Sequence, residues 1–263
     1  MSIPYYHIDS FASELFTGNP AGVCLVPAFP AEKVMQQIAS ENRHSETAFV
    51  VSRDDGDFDL RWFTPAVEDD LCGHATLASA YALSLSGHDT WPVRFHTVSG
   101  LLTVNKDHGR FEMDFPARPP APCEIPTGLL AALGLERAEV VRDPRDFLVV
   151  VDGPEIVRTL KPDIAELAKI EMGLGGTIVT AAGDDDADYV CRFFGPSIGI
   201  DEDPGTGSIH CALVPYWARR TGKQNFRVHQ LSPRGARMWC TLVGDRVKIA
   251  GEAKLYLKGS INI

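Results

Sequence analysis

An α+β fold built from two similar lobes follows from three features of the sequence. A stretch of the first half recurs in the second, short β-rich runs are spread along the chain, and two helical stretches are apolar nearly all round. The recurring stretch is Asp57-Phe58-Asp59-Leu60-Arg61-Trp62-Phe63-Thr64-Pro65, matched 131 residues later by Asp188-Tyr189-Val190-Cys191-Arg192-Phe193-Phe194-Gly195-Pro196. Asp, Arg, Phe and Pro recur in place. Each copy then runs through a glycine-containing turn into an apolar stretch, at 72–81 and at 205–214. A shared order of strand, loop, glycine turn and helix points to internal duplication. Two units of about 130 residues also suit a chain of 263.

The elements follow in order. Runs at 21–26, 47–51 and 101–104 are β-branched or apolar and bounded by turn residues, as are 147–151, 177–180 and 247–250. Alternation at 110–115 predicts a half-exposed strand. Helices are predicted at 31–39, 72–85, 164–169 and 208–219. The second and fourth carry apolar side chains on every side, which implies burial all round, so each lobe is expected to wrap strands around one central buried helix. Pro215 is expected to kink the last. Five prolines within 116–126 exclude a helix or central strand there. The lobes are placed at 1–117 and 118–263, joined by this Pro-rich connection, with the final strand free to return to the first lobe.

A net charge of −10 and a pI near 5.2 disfavour phosphate backbones and anionic lipid as partners. No apolar run reaches the ~18 residues of a membrane span, and the N-terminus has no secretory pattern. A cytoplasmic protein acting on a small molecule is expected, with neither nucleic acid nor membrane as partner. Cys24, Cys72, Cys123, Cys191, Cys211 and Cys240 are scattered and make no Cys-x-x-Cys pair, so reduced thiols and no metal site are expected.

A buried helix that opens at a glycine turn aims free N–H groups and partial positive charge at its entrance, which suits an anionic substrate. Two such ends in a duplicated fold would serve one cleft between the lobes. The Asp203–Ser208 segment lacks the Gly-Lys-Ser/Thr ending of a phosphate loop, and no dinucleotide fingerprint is present. Polar residues at the two turns are the candidates: His74, Asp203, Ser208, and Glu46 ahead of an apolar strand. Asp203 and Ser208 read equally well as helix caps, Glu46 as a solvated turn residue, and Cys72 as a small buried hydrophobe.

The motifs His7-Ile8-Asp9-Ser10-Phe11, Gly18-Asn19-Pro20-Ala21-Gly22-Val23-Cys24, Ser45-Glu46-Thr47-Ala48-Phe49 and Leu71-Cys72-Gly73-His74-Ala75-Thr76 occur in order. Asp203-Pro204-Gly205-Thr206-Gly207-Ser208, Gln230-Leu231-Ser232-Pro233-Arg234-Gly235 and Lys258-Gly259 follow. Together they resemble the phenazine-biosynthesis PhzF-like isomerase family along essentially the whole chain. The resemblance implies a diaminopimelate-epimerase-like fold, no cofactor, a homodimer, and isomerisation of the kind known for a cyclic dihydro-hydroxyanthranilate. It implies catalytic roles for Glu46, His74 and Asp203, and substrate contacts from Gly73, Ser208, Cys72 and Gly207. In epimerase relatives two cysteines act as opposed bases; here Cys72 holds the first position and Pro204 falls near the second. Two other readings remain: a two-base epimerase using Cys72, and a binding or interaction module on an enzyme fold.

Overall fold

The structure is a computed structural model and describes residues 2–173, 175–184 and 186–263. It forms two compact units, Met1–Asp114 with Ala250–Ile263, and Phe115–Ile249. In chain order the elements begin with β1 (Ser2–Ser10), β2 (Asn19–Val26), α1 (Glu32–Asn42), β3 (Glu46–Ser52), β4 (Phe58–Phe63) and β5 (Glu68–Asp69). Next come α2 (Gly73–Leu85), β6 (Val93–Thr97), β7 (Gly100–Asp107), β8 (Arg110–Pro116), β9 (Ala121–Pro122), α3 (Leu129–Ala132), β10 (Glu139–Arg142) and β11 (Phe147–Val150). Then follow α4 (Pro154–Thr159), α5 (Ile164–Leu167), β12 (Thr177–Ala182), β13 (Tyr189–Gly195) and β14 (Ile200–Asp203). The chain ends with α6 (His210–Thr221), β15 (Asn225–Gln230), β16 (Ala236–Val243), β17 (Arg246–Gly251) and β18 (Ala253–Asn262).

The duplication is visible as one pairing scheme used twice. In the first unit β2 lies parallel to β3, β3 antiparallel to β4, β4 antiparallel to β5 and parallel to β6, and β6 antiparallel to β7. In the second the same relations hold for β11, β12, β13, β14, β15 and β16. β18 pairs antiparallel with β1 from Ser2↔Asn262 to Ser10↔Ala253, so the chain from residue 250 onward groups with the first unit, the return that the sequence left open to the final strand. The Pro-rich stretch also differs from a bare connection, because β9 within it pairs with β10.

In the first unit α2 carries buried residues on all sides, from His74 to Leu83. Its two polar core residues turn inward on the helix itself: Thr76 Oγ1 donates to the Cys72 carbonyl at 2.5 Å, and Ser79 Oγ to that of Ala75 at 2.7 Å. Back-bonding of this kind lets a hydroxyl sit in an apolar core. A separate core of Met35, Ile38 and Ala39 from α1 packs with Cys24, Phe49 and Phe63. In the second unit α6 is likewise buried, runs through Pro215, and opens one residue pair later than the sequence predicts, at His210. Short helices α3 and α4, too brief for a periodic signal, cover a core of Leu129, Val149, Val157, Val179 and Phe194. No helix among the described residues is long and apolar enough to cross a membrane.

His210 at the start of α6 is fully buried, with Tyr189 Oη 2.8 Å from its Nδ1. Burial pushes its pKa down to about 3, so the folded protein holds it neutral while the unfolded chain binds its proton below about pH 6.5. Stability is therefore lost as the pH falls through that value, by about 2 kcal/mol between pH 7 and 5. Urea titrations at the two pH values should record this loss in the wild type and a smaller one in His210→Gln.

Candidate active site

The first unit gathers Glu46, His74 and Cys72. Glu46 opens β3 and is 6% exposed, His74 is 7% and Cys72 5% exposed. Glu46 is thus a buried carboxylate, and the solvated turn residue that its sequence context allows is not what forms. Its Oε2 lies 3.1 Å from His74 Nε2, while His74 Nδ1 lies 3.5 Å from Cys72 Sγ. The imidazole therefore spans thiol and carboxylate, one nitrogen toward each. Its backbone carbonyl accepts the Ser10 hydroxyl at 2.7 Å, which fixes the second residue of α2 against the end of β1. Cys72 is the N-cap of α2 with extended backbone. Packing does not demand glycine at 73: a Cβ there would meet only Met113 Cε, at 3.9 Å. The helix entrance therefore keeps an open side, with its first N–H groups and positive end beside the carboxylate and imidazole.

The second unit gathers Asp203, Thr206 and Gln230. Asp203 ends β14, is 5% exposed, and its Oδ2 accepts a short hydrogen bond from the Thr206 hydroxyl. Gln230, fully buried at the end of β15, accepts from Thr206 N at 2.7 Å and donates to the Asp203 carbonyl at 2.7 Å. Ser232 Oγ donates to the Pro204 carbonyl at 2.7 Å. The 203–208 turn is thereby held in one conformation. Neither Asp203 nor Ser208 caps the helix, whose N-cap is Ile209 without a side-chain bond. Gly207 and Ser208 instead form the tight turns entering α6, their carbonyls accepting from His210 N and Cys211 N.

Sequence reasoning missed Ser10 and Gln230 as supports, although both lie inside motifs it singled out. It also missed Arg118, which carries no local signal inside the proline-rich stretch. Arg118 Nε pairs with Asp143 at 2.8 Å, Nη2 reaches Asp146 at 3.5 Å and donates to the Ser208 carbonyl at 2.9 Å, and its backbone N–H donates to the Cys211 carbonyl at 2.7 Å. Asp146 in turn accepts from Gly176 N at 2.9 Å, and burial pushes its carboxyl up. This node ties the 142–147 turn to the entrance of α6.

In the first unit a buried carboxylate, an imidazole, a thiol and a helix entrance suit proton transfer at carbon: a dry base, hydrogen-bond donors, and backbone N–H groups for developing negative charge. The donor atoms of Glu46, Cys72 and His74 lie within 4.8 Å of one another, close enough for a metal ion to bridge. The imidazole, however, divides its nitrogens between the other two groups, the arrangement of an acid–base chain.

Residues 8–259 match the family of phenazine biosynthesis-like proteins. The chain is 47% identical to the uncharacterized isomerase PA2770 of Pseudomonas aeruginosa, over all of both chains. A crystal structure of a PhzF-family phenazine biosynthesis protein from Enterococcus faecalis superimposes with a TM-score of 0.96, at 42% identity and full coverage of both chains. A hydroxyproline epimerase from Agrobacterium vitis gives a TM-score of 0.63 at 14% identity, covering 99% of this chain and 91% of that one, a likeness of fold alone.

Removing the Arg118 guanidinium leaves the Asp143 carboxylate buried without its counter-charge. Arg118→Met should lower the free energy of unfolding by about 3 kcal/mol in a urea titration, and adding Asp143→Asn should recover part of it.

Proposed function

Because this chain belongs to the phenazine biosynthesis-like family, we propose that it is a cofactor-independent isomerase. It moves a proton between carbons of a small carboxylate-bearing metabolite, cyclic or amino-acid-like. Glu46 is the base. Its carboxylate takes a proton from an activated carbon, and the electron pair of the broken C–H bond spreads into the adjoining unsaturated system. The same carboxyl then returns the proton to a second carbon. His74 stabilises the charge that develops and positions Glu46. Asp203 orients or relays, and Gly73, Gly207 and Ser208 contact the substrate.

The observation that carries this reading is the 3.1 Å contact between Glu46 and His74, both withdrawn from water. A base held out of water beside an imidazole and a helix entrance has the surroundings that proton abstraction from carbon needs. A second reading, a two-base epimerase, is favoured by one feature: Cys72 Sγ at 3.5 Å from His74 Nδ1 could serve as an opposed acid.

The test is a proton-exchange screen in D₂O against cyclic dihydro-carboxylates and cyclic amino acids, read by mass spectrometry and chiral chromatography. Chromatography is needed because an internally shuttled proton changes no mass. Turnover should fall about 100-fold or more in Glu46→Gln and also fall in Asp203→Asn, while Cys72→Ser retains it. Normal turnover in both carboxylate variants sinks the isomerase reading. Deuterium entering a stereocentre, with loss in Cys72→Ser alone, establishes the epimerase.

A further inference from the structure

The shared pairing scheme lets positions in the two units be matched by register. Trp62 on β4 stands opposite Asp69 on β5, and Phe193 on β13 stands opposite Asp203 on β14. Trp62 and Phe193 are themselves equivalent in the repeat. Ahead of each aspartate a glutamate forms a bidentate fork with an arginine of the neighbouring strand. Arg61 meets Glu68 at 2.6 and 2.6 Å, and Arg192 meets Glu202 at 2.7 and 2.8 Å. The interval to the helix entrance is also the same. Asp69 lies four residues before Gly73 and five before His74; Asp203 lies four before Gly207 and five before Ser208. Asp69 is the duplicate of Asp203.

Its place in the first unit is beside the proposed base. Ala48 stands opposite Trp62, and Trp62 opposite Asp69. Residues opposite one another across a sheet face the same side, as do residues two apart on a strand. Glu46, two residues before Ala48, therefore shares a face with Trp62 and Asp69. Asp69 Oδ1 accepts from Leu71 N at 3.3 Å, which ties it to the loop running into Cys72, Gly73 and His74. The other charged groups near it are Asp70 next in the chain and Asp59, Arg61, Glu68 and His96, which line with it a recess of about 400 Å³. Burial pushes the Asp69 carboxyl up and the charge of Glu46 pushes it further, against hydrogen bonds from the backbone N–H groups of Leu71 and Asp70.

We propose that Asp69 is a positioning residue of the Glu46–His74 site: a second carboxyl, the duplicate of Asp203, that acts on the reaction through the charge of Glu46. Two carboxyls on one desolvated face do not ionise independently. This role rests on the reading of Glu46 as the base.

The test has two arms. In the full-length protein, carbon-13 NMR follows the Asp69 carboxyl against pH, with Glu46 intact and in Glu46→Gln. The Asp69 midpoint should move to lower pH when the charge of Glu46 is removed; an unmoved midpoint overturns the proposal. The second arm compares Asp69→Asn, which keeps an acceptor for Leu71 N–H, with Asp69→Leu, which keeps neither acceptor nor charge. On a compound the wild type turns over, Asp69→Asn should displace the acid limb of kcat/KM to lower pH and leave KM within about twofold. An acid limb unmoved in Asp69→Asn, with loss of rate only in Asp69→Leu, shows a purely structural loop contact and also overturns it. If no compound is turned over, the NMR arm alone decides whether the two carboxyls act as a pair.

Discussion

A carboxylate buried at the first residue of a strand is the constraint around which the first unit is arranged. Glu46 is kept from water, and His74 Nε2 approaches its carboxyl to 3.1 Å. That approach requires the entrance of α2 to sit at the start of β3. The Ser10 bond to the His74 carbonyl supplies the anchor from β1, and the back-bonded hydroxyls of Thr76 and Ser79 allow the helix to be apolar on every side. A helix buried all round has no freedom to rotate without exposing apolar surface. The imidazole is thus aimed by the whole core rather than by its neighbours alone.

The second unit solves the same geometric problem with different chemistry. Its pairing scheme repeats that of the first, and Gly207-Ser208 stands where Gly73-His74 stands. Where the first unit fixes its helix entrance through an imidazole between thiol and carboxylate, the second uses a side-chain amide. Gln230 joins the Thr206 N–H to the Asp203 carbonyl, and Arg118 grips the Ser208 carbonyl from below. The Arg–Glu forks, Arg61 with Glu68 and Arg192 with Glu202, are common to both copies and hold the short strands on which Asp69 and Asp203 ride. Duplication preserved the scaffold of each helix entrance while the residues at the entrance diverged.

What the sequence determined by itself was the part written in local pattern. The 131-residue repeat, the glycine turns and the all-round apolar helices specify two copies of one α+β unit, because strand and helix periodicities and turn chemistry are properties of neighbouring residues. Glu46, His74 and Asp203 could be singled out from motif and position, and the two turns they adorn proved to be helix entrances. The tertiary structure alone decided what those residues touch. That Glu46 is dry, that His74 divides its ring between Cys72 and Glu46, and that Asp203 bonds Thr206 rather than capping α6 depend on elements far apart in the chain. The same holds for β18 closing on β1, which no local pattern encodes. Arg118 and Asp69 stayed hidden for one physical reason. A charged residue in a loop or at a strand end looks solvated until long-range packing removes the water around it.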